Sequence, residues 1–328
     1  MSSTTLTDRF GRRIEYLRIS VIDRCDLRCS YCLPKGFKGF EEQGNWLTFE
    51  EIERVTRAFA LLGVHRIRLT GGEPLMRRGL VDLVDRLAQL PGITDLSLSS
   101  NCTRMDKLAA PLYKAGVRRL NVSLDSLRPK VFEEITGGSL VKVLSGLDAC
   151  QSAGFEPIRV NTVVMQGVND NEIDTILDYC IERGFTLRLI ETMPMGETGR
   201  NALDKYIALD TVKQRLERRI ELIPDILPGG GPARYYRLAD TDTRIGFITP
   251  MSQHFCETCN RVRLTVDGDL YLCLGHEHVY PLRQLLRDGI DGTGLADHLR
   301  RAINLKPERH EFNERPEKLV RFMAKSGG

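Results

Sequence analysis

The chain has 328 residues, 41% of them hydrophobic, enough to bury a sizeable core as one large α/β domain or as one domain with an appendage. Its 47 basic and 44 acidic residues leave a net charge of +3. That balance argues against a nucleic-acid or membrane-surface protein, so any anion site must come from local placement of arginines. The opening residues, MSSTTLTDRFGRR, hold no apolar stretch of signal-peptide type, and no run of about 18 apolar residues occurs that would span a membrane. A soluble, cytoplasmic protein with reduced thiols is expected.

From residue 15 to about 191, short β-branched or apolar runs alternate with helical periodicity. The predicted strands are Tyr16–Val21, Arg66–Thr70, Asp95–Ser100, Arg119–Leu124, Ile158–Met165 and Thr186–Glu191. The predicted helices between them are Thr48–Leu62, which opens on the cap-like TFEE, then Leu80–Leu90, Met105–Ala115, Ser139–Ala153 and Asn171–Arg183. Gly63, Gly116, Gly154 and Gly184 stand where helix C-cap glycines would. Six strands with five intervening helices make a βα repeat and a parallel sheet, closed as an open barrel or doubly wound. In either arrangement functional residues are expected at the C-terminal strand ends.

After residue 192 the texture changes. MPMGETGR reads as a loop, Thr211–Arg219 as a charged helix, and the GGG-containing Pro224–Pro232 as a turn or mobile linker. Strand-like runs follow around Tyr235, at Ile245–Ile248, Val262–Val266 and Leu270–Leu272, and then a charged helical tail ending in Gly327-Gly328. The expected division is residues 1–230 and 231–328.

Six of the nine cysteines fall in two tight groups, which in a reducing compartment points to metal rather than disulfides. Cys25, Cys29 and Cys32 follow the first strand as CxxxCxxC; three thiolates so spaced can wrap one face of a cubane cluster and leave one iron open to a small molecule. Gly71-Gly72-Glu73-Pro74 follows the second strand. Its glycines permit close backbone approach and Glu73 can accept from an ammonium group. Ser123 and Asp125 end the fourth strand as ribose- or carboxylate-binding candidates, or as a strand-end cap.

The CxxxCxxC spacing, with Tyr31 immediately before its last cysteine, resembles the radical S-adenosylmethionine (SAM) superfamily. The resemblance implies a [4Fe–4S] cluster on this triad and SAM bound at its open iron, with Tyr31, Gly72, Glu73 and Ser123 as cofactor contacts.

Cys256, Cys259 and Cys273 form the second group, in HFCETCNRVRLTVDGDLYLCLGHEH. On spacing alone they suit a Cys₃His zinc site with His276, with His254 and His278 as spares, or a second iron–sulfur cluster. Arg261 and Arg263 share one face of a strand, which suits phosphate recognition. The two groups together, with YLRISVIDRCDLRCSYCLP, IRLTGGEP, NVSLDSL, VNTVVM, CETCNRVR and the terminal Gly-Gly, resemble the GTP 3′,8-cyclase family of molybdenum cofactor biosynthesis over nearly the whole chain.

That resemblance implies an incomplete (βα)₆ TIM-type barrel of the radical SAM type, with a C-terminal segment closing its open side. It implies a second [4Fe–4S] cluster on Cys256, Cys259 and Cys273, and GTP as substrate, contacted by Arg18, Arg68, Ser99, Arg159, Arg261, the Val262 backbone and Arg263. Arg18, Arg261 and Arg263 are the candidate catalytic arginines, Met193 lines the cofactor pocket, and the Gly-Gly tail threads into the site. Implied partners are a flavodoxin or ferredoxin electron donor, a second copy in a homodimer, and the downstream cyclic pyranopterin monophosphate synthase. Asp26, Cys102, Arg159 and the GHEH run at 275–278 depart from the family pattern. Rival readings are a peptide-modifying radical SAM maturase and a non-catalytic zinc or iron–sulfur protein. Cys150 and Cys180, at apolar helix positions, are expected in the core.

Overall fold

Leu17 and Ile19 are fully buried on one face of the first strand and pack into the core with Ile52, Val55 and Phe59 of the first helix, while Tyr16 and Arg18 take the opposite parity. This alternation recurs along the sheet of the computed structural model, which describes residues 5–227 and 231–327. The strands β1 (Tyr16–Ser20), β2 (Arg66–Thr70), β3 (Asp95–Ser100), β4 (Arg119–Ser123), β5 (Ile158–Val163) and β6 (Thr186–Ile190) pair in parallel in chain order. The helices α1 (Phe49–Leu61), α2 (Leu80–Ala88), α3 (Met105–Ala115), α4 (Pro129–Thr136), α5 (Leu140–Ser152) and α6 (Ile173–Arg183) lie between them. The TFEE start of α1 is a reciprocal capping box between Thr48 and Glu51. Gly116 and Gly184 take positive φ at the ends of α3 and α6, as C-cap glycines do.

The remaining elements are α7 (Gly196–Ala202), α8 (Leu209–Glu217), β7 (Leu222–Asp225), β8 (Arg234–Leu238), β9 (Arg244–Ile248), β10 (Arg261–Leu264), β11 (Asp269–Tyr271), β12 (Val279–Pro281), α9 (Arg283–Arg287), α10 (Gly292–Asn304) and α11 (Met323–Ser326). Two expectations are corrected. MPMGETGR is largely the helix α7 rather than a loop. Its glycines serve close approach: a Cβ at Gly199 would sit 2.4 Å from the Met193 carbonyl and one at Gly196 2.7 Å from the Phe322 ring. Pro224 and Asp225, assigned to a linker, belong to β7, which pairs with β8; residues 228–230 of that stretch lie outside the described residues.

The described residues form a twelve-stranded sheet in the order β12-β11-β10-β1-β2-β3-β4-β5-β6-β9-β8-β7. The parallel run of six gains a parallel strand at each edge, β10 beside β1 and β9 beside β6. The C-terminal segment therefore extends the partial barrel from both sides. The connection from β9 to β10 must return from the C-terminal strand ends to the N-terminal ones, and it carries Cys256 and Cys259. Among the described residues no helix is long and apolar enough to cross a membrane.

Candidate functional site

Cys25, Cys29 and Cys32, all half-buried, lie on the long loop that leaves β1 at the C-terminal strand ends. The loop is tied down by backbone. Arg28 and Ser30 donate to the Thr136 and Ile135 carbonyls at the end of α4, each at 2.8 Å, and Gly72 and Glu73 donate to the Ile22 and Arg24 carbonyls at 2.7 and 2.8 Å. A Cβ on Gly72 would fall 2.2 Å from the Arg24 carbonyl oxygen, so this glycine admits the cysteine loop itself. Glu73 is buried and accepts from the Ser100 hydroxyl (2.8 Å) and from the amides of Asn101 (2.7 Å) and Leu75 (3.1 Å). Burial pushes its carboxyl up to about 7. The Tyr31 hydroxyl donates to Asp125 at 2.7 Å. Asp26 accepts from Asn101 Nδ2 (2.8 Å) and the Thr103 hydroxyl (2.7 Å) and lies 3.5 Å from Arg104; this departure from the family pattern is built into its surroundings.

The second triad lies at the other end of the barrel. Cys259 sits just ahead of β10, whose first residue Arg261 is in register with Tyr16, the first residue of β1. Cys273 follows β11, which runs antiparallel to β10. Only the first triad, therefore, stands at the C-terminal ends where the βα pattern places functional residues. Buried Arg12, paired to Asp8 at 2.6 Å, donates to the Cys256 carbonyl at 2.9 Å. Lys306 Nζ donates to the Arg261 carbonyl at 3.0 Å and lies 3.6 Å from Cys259 Sγ. Burial raises the Cys259 thiol, but Lys306 and Arg261 outweigh it and bring it down to about 7.

Between the triads lies an arginine-lined cavity. In register order, Arg263, Arg18, Arg68, Ser97 and Arg119 form one row across β10, β1, β2, β3 and β4, as inward residues do in a parallel barrel. Arg159, Arg188, Arg261, Ser123, Met193, Val262, Tyr31 and all three cysteines of the second triad also line it. Ser99, half-buried and in register with Asn121, is not among the lining residues, nor is Glu73. Burial and neighbouring arginines, against an opposing pull from Tyr16, hold Arg68 down to about 10 and Arg263 down to about 9. Among the described residues no carboxylate pairs with Arg68, Arg159, Arg188 or Arg263. Such a set of buried cations is a site for a polyanion. Arg263 donates to the Gly327 carbonyl at 2.6 Å, and a Cβ on Gly327 would meet Thr70 at 2.2 Å, so the tail enters the site as expected; Gly328 lies outside the described residues.

A Radical SAM superfamily model matches residues 19–180, and a Molybdenum Cofactor Synthesis C model matches residues 185–312. The chain is 48% identical to GTP 3′,8-cyclase 1 of Pseudomonas aeruginosa, over 99% of this chain and 100% of that protein. It is 45% identical to GTP 3′,8-cyclase of Marinobacter nauticus, over 100% of both. The chain belongs to the GTP 3′,8-cyclase family of radical SAM enzymes. In fold it is similar to Streptococcus suis SuiB bound to S-adenosylmethionine, with a TM-score of 0.61 at 15% identity, covering 88% of this chain and 69% of that one. As a GTP 3′,8-cyclase family member it works with SAM and a [4Fe–4S] cluster.

Sequence reading missed several residues of this cavity. Tyr16, Arg66 and Arg188 share the inward parity of Arg18, Arg68 and Arg159 and line the cavity, a signal that strand alternation carried. The arginines around Tyr16 outweigh its burial and bring its hydroxyl below the usual phenol range. Arg12 and Lys306 reach the second triad from distant segments and had no local signal.

Proposed function

We propose that the chain cyclises GTP to (8S)-3′,8-cyclo-7,8-dihydroguanosine 5′-triphosphate, the first step of molybdenum cofactor biosynthesis. The observation that carries this reading is the arginine-lined cavity, where among the described residues no carboxylate pairs with Arg68, Arg159, Arg188 or Arg263, set between two cysteine triads at opposite ends of one barrel. Cys25, Cys29 and Cys32 suit a [4Fe–4S] cluster as three half-buried thiols on one backbone-tethered loop; when bound, the cluster and SAM supply one-electron chemistry for hydrogen abstraction. Tyr31, Gly72, Glu73, Ser123 and Met193 form the surroundings of SAM. Arg18, Arg68, Arg159, Arg261 and Arg263, with Ser99 and the Val262 backbone, bind and orient GTP, so that C3′ and C8 of one nucleotide are held close; positioning of that kind is the main service a protein gives a radical reaction.

Cys256, Cys259 and Cys273 hold a second [4Fe–4S] cluster in this reading. All three of these cysteines line the arginine cavity, which suits a metal centre that faces the substrate. In the same reading residues 1–230 generate the radical and residues 231–328 complete the substrate site. The nine free cysteines suit a reducing cytoplasm, where a flavodoxin or ferredoxin donates electrons, a homodimer forms and cyclic pyranopterin monophosphate synthase takes the product.

Anaerobic purification tests the reading. Two clusters require about eight irons per chain, and incubation with GTP, SAM and dithionite should yield 5′-deoxyadenosine together with the cyclised nucleotide. A colourless protein carrying one zinc, or SAM cleavage that GTP does not stimulate, would sink it.

A further inference from the structure

Lys306 is one of the largest fully buried side chains in the molecule, 1% exposed, just beyond the end of α10. Its ammonium donates to the carbonyls of Arg261 and Leu272 and reaches Cys259 Sγ at 3.6 Å. Arg261 lies two residues after Cys259, and Leu272 immediately precedes Cys273. One side chain thus ties together the two segments that bring these cysteines to the triad.

No carboxylate among the described residues forms an ion pair with Lys306. An ammonium left without a counter-ion at such burial is strongly disfavoured, even with carbonyls around it. Of the other charges near the triad, Arg12 donates to the Cys256 carbonyl and Arg321 to those of Leu274 and His276, while the carboxylate of Glu257 is exposed and faces His254. Arg12 has Asp8 and Arg321 has Glu277 as carboxylate partners. Lys306 has only Cys259, which carries full negative charge as a thiolate, the form a metal-bound cysteine takes.

We infer that Lys306 is the buried counter-ion of the metal centre on the second triad, a positioning residue that fixes Cys259 and raises the centre's reduction potential. This inference rests on the second-cluster reading above. Reduction adds an electron to a cluster beside a fixed positive charge in a low-dielectric site, so the charge favours the reduced form. An N–H directed at a ligand sulfur acts in the same direction.

The test is a redox titration of the anaerobic full-length protein, followed by EPR, with iron counted in every sample. Lys306→Met should keep close to the wild-type iron content while the second centre shifts to lower potential and the first does not move. Lys306→Arg, which keeps the charge, should shift it less. An unshifted second centre in Lys306→Met with full iron would overturn the inference, since packing alone would then explain the residue. Loss of half the iron in Lys306→Met but not in Lys306→Arg would support the charge role; equal loss in both would refute it. Wild-type protein holding only about four irons would remove the second-cluster reading itself and the inference with it, a result distinct from an unshifted potential.

Discussion

The two triads have the same ligand type and differ in the charges nearest their thiols, with Glu73 and Asp125 at the first and Lys306 and Arg261 at the second. Around Cys25, Cys29 and Cys32 the side-chain charges that act on the thiols are acidic, although Arg28 donates to the Cys25 carbonyl: after burial, Glu73 raises the Cys25 thiol and Asp125 raises those of Cys29 and Cys32. At the second triad Lys306, Arg261 and Arg12 bring Cys259 down against its burial, while burial raises Cys256 and Cys273 and Glu257 adds to the rise at Cys256. Negative surroundings disfavour the reduced state of a cluster and so make it a stronger reductant, the property needed where SAM is to be cleaved; positive surroundings favour a reduced cluster and draw an anionic substrate. In the two-cluster reading proposed above, two similar cysteine motifs would be suited to different work by the charges packed behind them.

Removing one triad at a time should break the comparison most sharply. Cys25→Ala should lose about four irons and all SAM cleavage. Cys256→Ala should lose the same amount yet retain slow SAM cleavage without cyclised product, read by iron analysis and by chromatography of 5′-deoxyadenosine. Equal loss of SAM cleavage in both variants would show that the triads do not divide the labour. Next in size is Arg263→Ala. Hydrogen bonds between charged groups are worth roughly 1.5–3 kcal/mol, so GTP should bind about 10- to 100-fold more weakly, with iron content unchanged. Calorimetry at two salt concentrations would check this, and unaltered affinity would remove Arg263 from the substrate site.

Much of this arrangement was legible in the sequence because it is local. All six strands of the βα repeat fall within two residues of the runs read from β-branched periodicity, and the first triad with GGEP is a contiguous signal at two strand ends. The helix α4 was missed although Pro129 opens it and Gly137 closes it with φ of +68°, the usual punctuation; its short apolar face, Phe132 and Ile135, did not stand out. The reversed direction of the second triad was not legible, because it depends on β9 and β10 joining opposite edges of the parallel run. Nor was Lys306, whose partners lie 34 to 47 positions away. Long-range electrostatics is where a linear reading runs out.

The acidic side of the comparison can be sharpened through Glu73. Burial keeps its carboxyl protonated in the folded protein up to about 7, against an ordinary value of 4.5. Between those values the folded state binds more protons than the unfolded one, so stability falls as pH rises. The shift caps the loss at about 3 kcal/mol. Denaturant unfolding of cluster-free protein at pH 5 and pH 7.5 should show the decline in wild type and a flatter profile in Glu73→Gln. Identical slopes would mean that the carboxyl ionises freely despite its burial.

The smallest effect concerns Cys102, which stands behind the first site rather than in it. It is fully buried and holds φ of +62°, a left-handed conformation that costs a side-chain-bearing residue roughly 1–2 kcal/mol. Its backbone cannot relax toward α5, because Gly146 already faces the Cys102 carbonyl at a distance that admits no Cβ. Cys102→Gly would relieve the strain but lose one small buried side chain, worth on the order of 1 kcal/mol, and add chain entropy to the unfolded state. These contributions nearly cancel, so unfolding free energy should change by less than about 1 kcal/mol. Asn101, which donates its amide to Glu73 and its side chain to Asp26, should keep its place, leaving the carboxylates beside the first triad and its SAM cleavage as in wild type. A loss well beyond that margin would show that the Cys102 side chain, packed toward Cys150, holds the Asn101 turn and with it the acidic surroundings of the first triad.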